Sequence, residues 1–315
     1  MPVSGVLNSG RKKQVRAPVL MIAATALFAT MSMCVKFASA DYSTGEIVFY
    51  RGLVGVAMII LLMRVRGGTL QTRLPAMHFW RSLIGVSSLG LWFYSIRGLP
   101  LATAVTLNYM SPIWMALLLI VGSALGSNPA GDKRVDIRLV CTVLVGFAGV
   151  SCVLQPTMER DQLWSGLMGL LSGLLAALAY LHVAALGKAG EPEDRVVFYF
   201  SVGSIAAGGL ATSLISEWHS HTLEGLGVLL AVGVLATLAQ LLLTRAYNIG
   251  RMLVNGSLQY LGIAWSYIYG VLLFDDAVTG MALLGMGLIV AAGIFATRLR
   301  QSARRTGHIK TLPES

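Results

Sequence analysis

Residues 94–114 read YSIRGLPLATAVTLNYMSPIW, and this stretch has a counterpart later in the chain. Displaced by 151 positions it falls on residues 245–265, RAYNIGRMLVNGSLQYLGIAW. Leu107 then meets Leu258, Asn108 meets Gln259, Tyr109 meets Tyr260 and Trp114 meets Trp265. Each copy is the end of one hydrophobic helix, a tight loop, and a second hydrophobic helix with an amide near its start. Few identities survive, so the match is suggestive: it points to two halves of the same design.

Working outward, the composition names the solvent. The chain has 315 residues, of which 56% are hydrophobic and only 12% charged, with a mean hydropathy of +0.72. One aqueous core cannot hide that much apolar surface, so the surroundings are largely lipid. The net charge of +10 and pI near 9.8 do not point to nucleic acid, because the basic residues lie in short loops and tails between apolar runs. Cys34, Cys141 and Cys152 fall inside apolar runs without CxxC or Cys/His spacing, and are read as core residues and not as a disulfide or metal site. The apolar run that ends at Ala38-Ser39-Ala40 has the look of a signal-peptidase site. It extends over about 20 residues, however, beyond the roughly 7–15 of a signal sequence, and is taken as a first transmembrane helix.

Apolar stretches long enough to cross a bilayer occur at about 18–38, 44–63, 78–97, 101–124 and 137–155, and again at about 163–187, 194–215, 223–247, 252–273 and 278–298. They are separated by punctuation such as Arg66-Gly67-Gly68, Asn128-Pro129-Ala130-Gly131, Pro156 and Asp275-Asp276. The expected fold is therefore all-α and polytopic, with ten transmembrane helices. Five spans per half is odd, so the second half enters the membrane from the opposite side, and the repeats are inverted. The expected organisation is a cytoplasmic tail at 1–17, one five-helix repeat at 18–155, a second at 163–298 and a cytoplasmic tail at 299–315. The second span of each half adds an echo, Val48-Phe49-Tyr50 against Val197-Phe198-Tyr199. Arg11, Lys12, Lys13 and Arg16, then Arg64, Arg66 and Arg73, then Lys188 and Arg195 all fall on the same side as the tails, which places both termini in the cytoplasm.

With ten spans in two halves, a basic N-terminus, and the run Tyr94-Ser95-Ile96, Leu99-Pro100-Leu101-Ala102 and Pro112, the chain resembles the EamA branch of the drug/metabolite transporter superfamily over residues 18–299. The resemblance implies inverted five-helix repeats around a central cavity, through which small organic solutes such as amino acids and their relatives move by alternating access. Members often carry a Glu just after the fourth and ninth spans; here Ala124 and Asp275 stand near those positions, so half of that pattern is missing.

Polar side chains at lipid depth face a cavity or one another. On the fourth span Ala104, Asn108, Ser111 and Met115 share a face, and the repeat puts Asn255, Gln259, Gly262 and Ser266 at the matching places of the ninth. Asn108 and Gln259 are read either as solute contacts or as interhelical hydrogen bonds. Ser111, Asn255, Tyr109 and Tyr260 are the further candidates around them. Pro112 should kink the fourth span, and with Ile263 in its place the ninth should bend unequally. Arg51, about seven residues into the second span, either snorkels past Glu46 or meets a substrate carboxylate. Trp92 beside Ser88 and Ser95, and Gln240 beside Thr237 and Thr244, widen the polar wall. Lys36 reads as a snorkelling anchor, and Gly166, Gly169 and Gly173 as a close-packing stripe.

No GxSxG, HExxH or Walker sequence occurs, so neither an enzyme nor direct ATP drive is expected, and no cofactor or metal is called for. The expected partners are a small-molecule solute and membrane lipid, with no nucleic acid; a homodimer is left open. The leading reading is a secondary metabolite transporter of the plasma (bacterial inner) membrane. The alternatives are a membrane scaffold without transport and a flippase of a lipid-linked intermediate.

Overall fold

The structure, a computed structural model, describes residues 4–99, 101–124, 137–154, 163–274 and 280–309. The described residues form helices α1 (Ser4–Ala38), α2 (Thr44–Arg66), α3 (Pro75–Gly98), α4 (Leu101–Asn108), α5 (Ser111–Ala124) and α6 (Ile137–Leu154). They continue with α7 (Leu163–Lys188), α8 (Glu193–Ile215), α9 (Leu223–Ile249), α10 (Met252–Gln259), α11 (Leu261–Phe274) and α12 (Gly280–Ile309), and no strand occurs among them. The turns expected at Asn128–Gly131 and Pro156, the Asp275–Asp276 boundary and the extreme termini lie outside the described residues.

Among the described residues, five helical stretches are long and apolar enough to cross a membrane, Ala17–Ala38, Thr44–Arg66, Leu163–Lys188, Glu193–Ile215 and Leu223–Ile249. The third expected span is a helix of 24 residues, α3, but His78, Arg81 and Arg97 dilute its apolar character. The fourth and ninth spans are each two helices, of 8 and 14 residues in both cases. The surface is apolar: Val65, Leu214, Ile215, Leu223 and Leu272 are among many exposed aliphatic residues, while Arg51, Arg81, Asn108, Gln240, Asn255 and Gln259 are buried. A bilayer as solvent inverts the usual pattern in this way, because lipid takes the aliphatic face and the polar groups turn to each other.

The helix ends follow from local chemistry. Ser43 and Glu46 form a capping box at the start of α2, each side chain bonding the other's backbone N–H, at 2.8 and 3.3 Å. Gly67, at φ +72°, ends α2 in the left-handed conformation that a residue without Cβ adopts freely. Lys36 is no free snorkelling anchor: its ammonium donates to the carbonyls of Ile96 and Leu99, at 2.8 and 2.9 Å, capping the negative end of α3.

The most extensive helix contacts pair α1 with α9, α2 with α8, α3 with α7 and α6 with α12. The α2–α8 crossing is the tightest. A Cβ on Gly208 would lie 2.5 Å from the Phe49 backbone nitrogen and 2.8 Å from the Gly45 carbonyl oxygen, and one on Gly52 would lie 2.7 Å from the Ser201 carbonyl oxygen. Backbone thus meets backbone, as small residues allow in membrane helices. Gly173 does the same on α7, where a Cβ would lie 2.6 Å from the Leu107 carbonyl oxygen, while one on Gly169 would meet the Ser95 and Leu107 side chains.

The two broken spans are alike in hydrogen bonding. At the first break Met110 N–H bonds Leu107 C=O and Ile113 N–H bonds Met110 C=O; at the second Tyr260 N–H bonds Ser257 C=O and Ile263 N–H bonds Tyr260 C=O. Pro112 sits in the first turn of α5, where a helix needs no N–H, so it starts that helix instead of merely kinking one. The ninth span breaks without a proline. The bounds of α4 and α10 differ by 151 residues and those of α5 and α11 by 150, so the first break is one residue longer. Past the break Trp114 therefore corresponds to Ala264, and the match with Trp265 is out by one.

Gly208→Leu should destabilise the detergent-solubilised protein by at least about 1–3 kcal/mol, since the added atoms meet backbone that cannot rotate away. Gly227→Leu is the control, because a Cβ there meets nothing within 4 Å. A melting temperature that falls equally in both variants would contradict the glycine-mediated crossing.

Candidate functional site

A cavity of about 50 Å³ lies inside the bundle, several times the ~10–15 Å³ that holds one water. It is walled by α1, α2, α3 and α4 with Tyr109, and by α7, α8, α9 and α10, so both halves of the chain contribute. Its polar lining is Thr25, Arg51, Arg81, Ser88, Asn108, Gln240 and Gln259, and its aromatic lining is Phe28, Trp92, Tyr109, Tyr180 and Phe200.

Asn108 and Gln259 are the last residues of the short helices α4 and α10, which stop where these amides reach the cavity. Asn108 Nδ2 donates to Ser172 Oγ at 3.0 Å, and Ser88 Oγ donates to the Ser172 carbonyl at 2.8 Å, tying α3, α4 and α7 together. Gln259 Oε1 accepts from Ser111 Oγ at 3.4 Å, linking α10 to α5, and the Tyr180 hydroxyl is within hydrogen-bonding reach of the same side chain. The two readings of these amides are thus not alternatives. Each bonds a neighbouring helix and still lines the cavity.

Arg51 does not snorkel to Glu46. The Glu46 carboxylate is occupied by the Ser43 N–H and by His219, whose backbone N–H and Nδ1 approach it at 2.7 and 2.8 Å. The Arg51 side chain instead turns inward, only 4% exposed, with its guanidinium carbon 5.0 Å from the centre of the Phe200 ring. Arg81, 2% exposed, lies over the same ring at 4.4 Å. Gly85, one turn further along α3, leaves the space that its guanidinium fills. A guanidinium within a membrane helix costs up to about 2.5–3.5 kcal/mol by insertion scales, and a cation–π contact returns about 0.5–2 kcal/mol. Phe200 therefore offsets part of the cost of two cations.

Of the residues expected at the site, Arg51, Trp92, Asn108, Tyr109, Gln240 and Gln259 line the cavity and Ser111, Asn255 and Tyr260 do not. Ser111 stands behind Gln259. Asn255 donates through Nδ2 to the Ala246 carbonyl at 2.6 Å, closing the end of α9. Tyr260 lies on α6, where a Cβ on Gly146 would come 2.5 Å from its ring, whereas Tyr109 lies over Gly262 and reaches the cavity. Arg81, Phe28, Tyr180 and Phe200 are the charged and aromatic lining residues that sequence reasoning missed. The one available signal for Phe200 was its place: it follows Val197-Phe198-Tyr199 as Arg51 follows Val48-Phe49-Tyr50.

Two carboxylates fasten the bundle beyond the cavity, one at each end of α2 and α8. At one end Glu46 and His219 join α2 to the segment before α9, and the hydroxyls of Ser216 and Ser43 meet at 3.2 Å. At the other end Glu191, just before α8, accepts from Thr72 Oγ1 at 2.8 Å and Arg195 Nη1 at 2.9 Å, with His78 Nε2 at 3.3 Å. Burial alone would raise the Glu191 pKa, but the hydrogen bonds from Thr72 and Arg195, the close approach of His78 and the Arg195 charge hold it below the ordinary carboxylate value.

Comparison with known proteins adds an independent line. The profile of the EamA-like transporter family matches residues 15–154. The pseudopaline exporter of Pseudomonas aeruginosa is 30% identical over 287 residues, spanning 90% of this chain and 96% of its own. The riboflavin transporter of Rhizobium johnstonii is 25% identical over 269 residues, spanning 85% of this chain and 83% of its own. A solved crystal structure superposes on 90% of this chain and 98% of its own with a TM-score of 0.75 at 18% identity, a likeness of fold alone.

The depressed pKa of Glu191 carries a sign. Its stabilising contribution is complete above the unfolded carboxylate pKa and is lost as pH falls through the lower folded value. Glu191→Gln should cost about 1.5–3 kcal/mol at neutral pH, and melting curves of variant and wild type should converge as pH is lowered into the carboxylate range. A gap that stays constant with pH would remove Glu191 as the ionised anchor.

Proposed function

The chain belongs to the EamA-like transporter family and is an integral membrane protein, and we propose that it is a secondary transporter of a small organic metabolite, an amino acid or related solute. The proposed architecture is ten spans in two inverted halves, residues 18–155 and 163–298, working by alternating access across a bacterial inner membrane with both termini in the cytoplasm. Support for the inverted halves comes from the helix pairing. Exchanging each helix for its counterpart turns the α1–α9 pair into the α7–α3 pair and leaves the α2–α8 and α6–α12 pairs unchanged. The relationship to a pseudopaline exporter favours outward transport.

The observation that carries the reading is the small cavity between the two halves, whose aromatic and aliphatic wall holds Arg51, Arg81 and three amides, with carboxylate clusters fastening α2 and α8 beyond it. A cavity of this size is too small for a metabolite as it stands, and in the alternating-access reading the clusters at the two ends of the α2–α8 pair open in turn. Asn108, Gln259 and Gln240 supply hydrogen bonds, Trp92 and Tyr109 supply aromatic walls, and Arg51 meets a substrate carboxylate. Ser111 and Asn255 serve as supports of Gln259 and α9, and Tyr260 as a packing residue, each acting through a neighbour.

A metabolite screen by melting temperature, followed by counterflow of the hit in proteoliposomes, tests this directly. Asn108→Ala and Gln259→Ala should each cut transport by about tenfold, the value of roughly one lost hydrogen bond to the solute. Flux of the bound metabolite that is unchanged in both variants would refute the cavity as the route, and a bound metabolite with no flux at all would favour the scaffold reading.

A further inference from the structure

Arg51 and Arg81 reach the cavity from different helices, share the Phe200 ring and lie within Coulombic range of each other. Two like charges buried side by side call for a counter-charge between them. No Asp or Glu is found among the described residues lining the cavity. The buried carboxylates of the described bundle are engaged elsewhere, Glu46 by Ser43 and His219, and Glu191 by Thr72, His78 and Arg195.

A second observation does not depend on charge. Among the described residues that line the cavity, the buried side-chain atoms without a hydrogen-bond partner are Arg51 Nε, Arg81 Nε and Nη1, Trp92 Nε1 and Gln240 Nε2. Every one of them is an N–H donor. Buried donors left unpaired are costly, and they are complemented by an occupant rich in acceptor oxygens.

We propose that the solute of this cavity is a small organic dianion, held by Arg51 and Arg81 together, with Trp92 and Gln240 donating to its remaining oxygens. The inference rests on the cavity being the transport site and narrows what enters it. A neutral solute leaves both guanidinium groups without a counter-ion, and a monoanion leaves one. A cation adds a third like charge. Binding therefore strengthens stepwise with the number of negative charges. A dicarboxylate and a phosphomonoester both present this chemistry, since each brings two charges on oxygens of the kind that a guanidinium fork pairs with.

The test uses the purified full chain at constant ionic strength, with unfolding temperature as the readout. The probes are glutarate, its monoamide glutaramate and its diamide glutaramide, with glycerol 3-phosphate as the phosphate arm. A dianion should raise the unfolding temperature, and the half-saturating concentration should rise about tenfold from glutarate to glutaramate, the value of one charge-assisted contact. Glutaramide should have no effect. A response to glycerol 3-phosphate alone assigns the charge pair to a phosphate and upholds the proposal. Arg51→Gln and Arg81→Gln should each abolish the response while leaving the empty protein no less stable, because an uncompensated charge has gone. Arg81→Lys keeps the charge and should retain a weakened response if a glutamine variant does not fold. The proposal is overturned if neither dianion shifts the wild type, if glutaramide shifts it equally, or if the shift survives both glutamine substitutions. The two readings separate in proteoliposomes. Undiminished flux of a neutral solute in Arg51→Gln removes the dianion and leaves transport standing, whereas a dianion response without flux of that dianion does the reverse.

Discussion

The crossing of α2 and α8 sets the distances on which the interior depends. Gly45, Gly52 and Gly208 bring two backbones into contact, and a single Cβ at Gly208 would collide with main-chain atoms. Across the same helix pair the Arg51 side chain of α2 lies over Phe200 of α8. Close approach in a membrane is driven by packing and not by expulsion of water, so it requires small residues at the point of contact. Here that requirement positions the charged centre of the protein.

Around that crossing, the broken spans perform a complementary task. A continuous helix would carry Asn108 and Gln259 past the cavity as side chains on a rod, each free to bond only along its face. Ending α4 and α10 at these residues turns the chain and leaves the amides at the cavity wall. The exposed backbone groups of each break are partly bonded within the turn itself and are buried among neighbouring helices, the condition under which non-helical backbone is tolerated at membrane depth. Gly173 on α7 accommodates the first of these turns by pressing against the Leu107 and Asn108 carbonyls. Carboxylate-centred clusters fasten the bundle beyond the cavity, Glu46 with His219 at one end and Glu191 with Arg195 and His78 at the other.

Much of this organisation was readable from residues alone, and the part that was not has identifiable causes. The amides at 108 and 259 stood out because polar groups at lipid depth are rare, and Arg51 stood out for the same reason. Arg81 did not, since six residues into α3 it resembles the basic residues that flank membrane spans, and only the gap at Gly85 shows that it folds inward. Tyr180 was invisible because an aromatic residue in an apolar helix carries no mark of which face it occupies, and Phe200 was marked only by its place after the repeated Val-Phe-Tyr run. Asn255 and Gln259 share a helical stripe, yet one closes α9 and the other faces the cavity. The sequence match pairing Trp114 with Trp265 was out by one because the two breaks differ in length, a difference that side-chain similarity conceals.

By itself, the order of residues determined the solvent and the all-helical class, since these follow from the length and spacing of apolar runs, which are local properties. It also marked the amides and one arginine as costly residues in need of a partner. Only the tertiary structure decided who the partners are: Ser172 for Asn108, Ser111 for Gln259, and Phe200 for Arg51 and Arg81 together. The physical reason is that in a bundle apolar on all sides, helix periodicity does not say which face turns inward. That choice is made by backbone contact at a few glycines, between residues about 150 positions apart.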